Sequence, residues 1–147
     1  MEKNRVVILI VEDEASHQLL IHKTLENHSV KNTVHEVENG QQALDYIYGK
    51  GEYADRTKYP MPNLILLDIK MPVVDGFEVL QKLKSDEQTK HIAIVMLTTS
   101  ARDEEIAQGY HYGANAYVTK PVNFAEFSEK LKNLRLFWTL VAEIPPG

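Results

Sequence analysis

The chain has 147 residues, 44% of them hydrophobic, which is one domain's length with enough apolar mass for a sizeable core. Sixteen Lys and Arg against 21 Asp and Glu leave a formal charge of -5, which argues against broad binding to a nucleic acid backbone. No cysteine is present, so disulfides and thiolate metal sites are excluded. The first apolar run, Val6 to Val11, is cut short by Glu12-Asp13-Glu14, too early for a signal peptide or a membrane span, and the expectation is a cytoplasmic protein.

In chain order, Val6 to Val11 is short, β-branched and continuously apolar, and reads as a buried strand with three acids at its carboxyl end. A helix follows, with Ser16 as its expected cap and Leu20, Ile21, Thr24 and Leu25 on one face. Thr33 to Val37 alternates weakly and is expected at a sheet edge, closed by Asn39-Gly40. Gln41 to Tyr48 places Ala43, Leu44, Ile47 and Tyr48 at helical spacing, with Gly49 as its stop. Residues 49–62 show no period and read as a surface loop, either functional or a variable insertion.

Leu64 to Leu67 is an unbroken apolar run ending in Asp68, and Pro72 and Asp75-Gly76 supply the turn chemistry that stops the strand and restarts the chain as a helix. Such runs belong to parallel sheets covered on both faces, where ligands sit beyond the carboxyl ends of the strands. Gly76 to Ser85 is helical with Phe77, Val79, Leu80 and Leu83 inward. Ile92 to Leu97 is a further apolar strand ending in Thr98-Thr99-Ser100, and Arg102 to Tyr112 is a weakly anchored polar helix. Ala116 to Thr119 is a last strand before Lys120-Pro121. From Asn123 a long amphipathic helix carries Phe124, Phe127, Leu131, Leu134, Trp138 and Val141 on one stripe. Five strands alternating with five helices, the last one extended, predict an α/β domain with a central parallel sheet spanning residues 1–147.

If the first, third, fourth and fifth strands are neighbours, their ends bring together Glu12, Asp13, Asp68, Thr98 and Lys120. Converging carboxylates repel unless a hard divalent cation neutralises them, and Mg²⁺ fits oxygen ligands better than zinc does. The six histidines show no ligand spacing. A Lys and a hydroxyl flanking a metal-bound carboxylate suit phosphoryl transfer, with Asp68 as nucleophile, Lys120 on the phosphoryl oxygens and Thr98 donating a hydrogen bond.

These residues resemble the receiver domains of two-component response regulators. Glu12-Asp13 is similar to the family's acidic pair, Asp68 to its phosphoacceptor in the Asp-x-x-Met-Pro-x-x-Asp-Gly signature, Thr98 and Tyr117 to its switch pair, and Lys120-Pro121 to its Lys-Pro pair. The resemblance implies a flavodoxin-like, doubly wound sheet of order 2-1-3-4-5 and a cis Lys120-Pro121 peptide. It also implies that Mg²⁺ is held directly by Asp13 and Asp68, through water by Glu12, and by the backbone carbonyl of Lys70. The donor it implies is a phosphohistidine of a sensor histidine kinase, docking on the helix that carries His17, Gln18 and Ile21. Thr98 would move toward the phosphoryl group as Tyr117 fills its place, while Lys70 and Ser100 would tune the lifetime of the acyl phosphate. No separate substrate is expected, so the chain would not be an enzyme in the ordinary sense.

Residues 136–147 read as an extension for contact with a partner or a second copy of the chain, because Phe137, Leu140 and Ile144 form a second apolar stripe beside the core-facing one. Together with the long loop before Asp68 and the Leu97-Thr-Thr-Ser100 run, this tail resembles the stand-alone receivers that pair with bacterial phytochromes, which implies a homodimer and a phytochrome-type kinase. Two other readings compete. A phosphatase of the haloacid dehalogenase type needs a second Asp where Lys70 stands, so its general acid is missing. A degenerate receiver serving only as a binding module would have lost an acid or the Lys, and none is lost.

Overall fold

The computed structural model describes residues 6–26, 32–69, 71, 74–98 and 112–119. Their elements run β1 (Val6–Val11), α1 (Ala15–Glu26), β2 (Asn32–Val37), α2 (Gly40–Ile47), β3 (Leu64–Asp68), α3 (Gly76–Lys84), β4 (Ala93–Thr98) and β5 (Ala116–Thr119). All strand pairings are parallel. Four strands in the order β2-β1-β3-β4 form a flavodoxin-like core, and β5 lies along the outer side of β4. The expected helices over 102–112 and from Asn123 lie outside the described residues, as does the Lys120-Pro121 peptide; Tyr112 itself sits in a turn.

β3 is buried along its whole length, which is why its sequence is continuously apolar rather than alternating. Leu9, Val11, Ile65, Leu67, Ile94 and Met96 pack with Ala43 and Ile47 of α2 and Val79, Leu80 and Leu83 of α3 in one cluster. Each fully buried Leu or Ile there stabilises the fold by about 1.5–3 kcal/mol. β2 pairs only with β1 among the described residues, and its Glu36 is exposed, in keeping with an edge.

Three local expectations change. Ser16 is not the cap of α1: the helix begins at Ala15, Gln18 N–H donates to the Glu14 carbonyl, and the Ser16 hydroxyl donates to Glu14 Oε1 at 3.3 Å. The cap position falls to Glu14 because the chain turns helical at once after the acidic run. α2 buries Tyr46 completely, while Leu44 and Tyr48, expected inward, are half-buried. The cause is the segment 49–62, which is built rather than loose.

That segment contains a short 3-10 turn, Gly51–Tyr53, and folds back over α2. Tyr53 and Tyr59 pack on Tyr46 with ring centroids 5.3 and 5.8 Å away, and His35 of β2 completes the group at 5.7 Å from Tyr46 and 5.5 Å from Tyr59. The Tyr46 hydroxyl donates to the Pro60 carbonyl at 2.8 Å. Arg56 donates to the carbonyls of Tyr46 (2.7 Å), Tyr53 (3.0 Å) and Ile47 (3.2 Å), so a side chain from the loop joins Gly49 N–H on the Tyr46 carbonyl and supplies a donor to the last carbonyl of α2.

Candidate phosphoacceptor site

Strand register brings the acids together. Val11 pairs with Leu67 and Asp68 pairs with Leu97, so β1 and β3 end level and Glu12-Asp13 emerges beside Asp68. One carboxylate oxygen from each of Glu12, Asp13 and Asp68 lies within 4.8 Å of the others. Glu12 is 0% exposed and Asp68 5%, whereas Asp13 is open to solvent, so two acids form a buried floor and the third an accessible rim. Oxygen-only ligands of like charge at this spacing suit a divalent cation.

The ends of the strands are held by backbone and side-chain bonds. Glu12 N–H donates to the Val37 carbonyl at 3.1 Å, and Gln18 Nε2 reaches back from α1 to the Glu12 carbonyl at 2.6 Å. Glu14 N–H donates to Glu12 Oε2 at 3.1 Å, which orients the buried carboxylate. After Asp68, Ile69 N–H donates to the Leu97 carbonyl, and the chain then folds back so that Gly76 N–H donates to the Ile69 carbonyl at 2.8 Å. Asp75 caps α3 by accepting from Glu78 N–H at 3.0 Å. Gly76 lies against the Asp68 carbonyl, with the place a Cβ would occupy only 2.8 Å from Ile69 Cα. The Asp-Gly pair therefore works as a cap followed by a close backbone approach, both directly behind the candidate acceptor.

His17 is a neighbour of the site that sequence spacing did not reveal. Its Nδ1 is 3.1 Å from Glu14 Oε2 and 3.6 Å from Glu12 Oε1. The available signal was its place one helical turn after Glu14. Of the other expected site residues, Thr98 ends β4 with its backbone in register with Thr119, and Tyr117 stands in β5 opposite Met96. The side chains of Thr98 and Tyr117, the whole of Lys70, Ser100 and Lys120, and the tail residues Phe137, Leu140 and Ile144 lie outside the described residues. Among the described residues no helix is long and apolar enough to cross a membrane.

Residues 8–132 match the family model described as the response regulator receiver domain. The response regulator Rcp1 of Synechocystis sp. is 32% identical over 95% of this chain and 92% of its own length. Its Mn²⁺-bound crystal structure superposes with a TM-score of 0.82, at 31% identity and covering 96% of this chain and 99% of that one. The phosphorylated cyanobacterial phytochrome response regulator RcpA gives a TM-score of 0.84 at 36% identity, covering 97% of this chain and 99% of that one. A response regulator in red light signaling of R. palustris, RPA3017, also gives 0.84, at 35% identity and with coverage of 97% and 99%. A buried carboxylate at the end of β3, two more acids beside it just after β1, the parallel sheet and these likenesses over nearly the whole length lead to one conclusion: the chain belongs to the response regulator receiver domain family.

Proposed function

We propose that the protein is the phosphoacceptor of a two-component phosphorelay in which Asp68 takes a phosphoryl group from a phosphohistidine of a sensor histidine kinase. The observation that carries this reading is the convergence of Glu12, Asp13 and Asp68, with Asp68 buried at the carboxyl end of the central strand. In the transfer one P–N bond is exchanged for one P–O bond on an Asp68 oxygen. Asp13 and Asp68, with Glu12 and the Lys70 carbonyl, would hold Mg²⁺, which supplies neutralisation of the phosphoryl oxygens. The Mn²⁺-bound form of Rcp1 and the phosphorylated form of RcpA support this assignment by likeness.

Lys120 pairs with the phosphoryl oxygens and Thr98 donates to them; Tyr117 follows Thr98, and the shift biases a two-state equilibrium that partners read. Lys70 and Ser100 set how fast water removes the group. The chain turns over no separate substrate, acts in the cytoplasm, and forms a single domain whose five-stranded parallel sheet is accompanied by five helices. Residues 136–147 form a homodimer contact through Phe137, Leu140 and Ile144. Likeness to phytochrome response regulators favours a phytochrome-type kinase as donor.

The test is intact mass after incubation with Mg²⁺ and acetyl phosphate. One added phosphoryl group that requires Mg²⁺ and is absent in Asp68→Asn is the expected result. No addition, either from acetyl phosphate or from phosphorylated candidate kinases, overturns it in favour of a receiver used only as a binding module.

A further inference from the structure

Two glycines make close backbone contacts behind Asp68, and only one of them belongs to the signature that follows it. Gly76 sits on the Asp68 carbonyl; Gly40, the first residue of α2 and far away in sequence, sits on Val74. A Cβ at residue 40 would overlap the Val74 carbonyl oxygen and come within 2.9 Å of both the Val74 carbonyl carbon and its Cβ. The obstacle is mainly backbone, so it cannot be relieved by a change of rotamer. α2 cannot easily retreat, because Asn39 Oδ1 accepts from Gln42 N–H at 2.8 Å, Glu38 N–H donates to Gln42 Oε1 at 2.7 Å, and Ala43 and Tyr46 are buried. The segment from Val74 cannot easily yield on its other side, because Gly76 already meets the Asp68 and Ile69 backbone and donates to the Ile69 carbonyl.

We infer that Gly40 is a positioning residue for the phosphoacceptor, setting through Val74 the place of Asp75-Gly76, which lies against the carbonyl of Asp68. The inference rests on the assignment of Asp68 and Mg²⁺ made above. Helix propensity alone favours Ala over Gly at a helical position, so local structure and packing make opposite predictions for Gly40→Ala. Displacing a positioned group by about 1 Å can lower a rate by about 100-fold.

The experiment measures Mg²⁺ affinity by calorimetry and phosphorylation by acetyl phosphate on the wild-type chain, Gly40→Ala and Leu64→Ala. The last variant opens a cavity at the buried start of β3, the opposite end of the strand from Asp68, and serves as a control for lost stability, followed by urea unfolding. The expected result is a Mg²⁺ Kd raised about tenfold and a phosphorylation rate lowered about 10- to 100-fold in Gly40→Ala, with Leu64→Ala within twofold of wild type in Mg²⁺ affinity. Mg²⁺ affinity within twofold of wild type in a folded Gly40→Ala overturns the inference. If Gly40→Ala does not fold, the decision passes to amide shifts in the wild-type chain on saturation with Mg²⁺. Shifts at Gly40 and Gln41 matching those at Val74 and Asp75 support the coupling, and unmoved amides at 40 and 41 overturn it. A wild-type chain that binds no Mg²⁺ and takes no phosphoryl group defeats the underlying assignment instead, so the two failures are distinguishable.

Discussion

Asp68→Asn should make the metal-free protein more stable while removing its response to Mg²⁺. The three carboxylates lie within 4.8 Å of one another, and at an effective dielectric of about 20 each pair at that distance repels by about 3 kcal/mol. Asp68 takes part in two such pairs. The pair with Asp13 is weakened because Asp13 is exposed, and the polar contact that Asp68 keeps within the fold offsets part of the rest, leaving a net relief of about 1–2 kcal/mol. For a domain of this size that is a rise in Tm of about 3–6 °C in EDTA. Mg²⁺ at about 100 times its Kd should stabilise the wild-type protein by about 2.7 kcal/mol, or about 8 °C, and the variant by less than about a third of that. Calorimetric melting of both proteins in EDTA and in Mg²⁺ reads all four values. A variant that melts at or below the wild type in EDTA, yet keeps an undiminished Mg²⁺ shift, refutes the shared-charge reasoning.

Three further outcomes follow from groups outside the site. Burial lowers the pKa of His35, whose Nε2 lies buried without a hydrogen-bond partner among the described residues. The unfolded chain therefore binds a proton that the folded chain resists, and stability should fall as pH drops below the ordinary value near 6.5; urea midpoints of His35→Phe should decline less over that range than those of wild type. Burial pushes the Tyr46 hydroxyl up to about 12, so it contributes stability that is complete below pH 10 and lost as pH rises from 10 toward 12. Tyr46→Phe should remove that part of the alkaline decline, and equal declines in the two proteins would count against the packing described here. Lys84 Nζ donates to the carbonyls of Lys90 (3.0 Å) and Ile92 (2.6 Å) and to Asn115 Oδ1 (3.1 Å), tying the end of α3 to the starts of β4 and β5. Lys84→Met keeps the stem but leaves these acceptors without their donor, and should cost about 1–3 kcal/mol in urea unfolding.

The sequence alone sufficed for what is local: the four apolar residues of β3 and the apolar runs of its neighbours, the acid at its end, and Asp75-Gly76 as the start of α3. These are legible because strand and helix periods and capping are set by residues close together in the chain. The grouping of Glu12, Asp13 and Asp68 needed one further premise, that their strands are adjacent. Strand order came from family resemblance, since apolar runs alike on both faces do not say which of them pair. The tertiary structure was needed to show that Tyr46, rather than Leu44 or Tyr48, is buried on α2 along with Ala43 and Ile47, because the covering surface is the aromatic loop 49–62 with Arg56 closing the helix end. It alone set His17 beside the acids and Gly40 against Val74. Such contacts join residues far apart in sequence or on facing elements, and they depend on which surfaces close packing brings together rather than on the preferences of neighbouring residues.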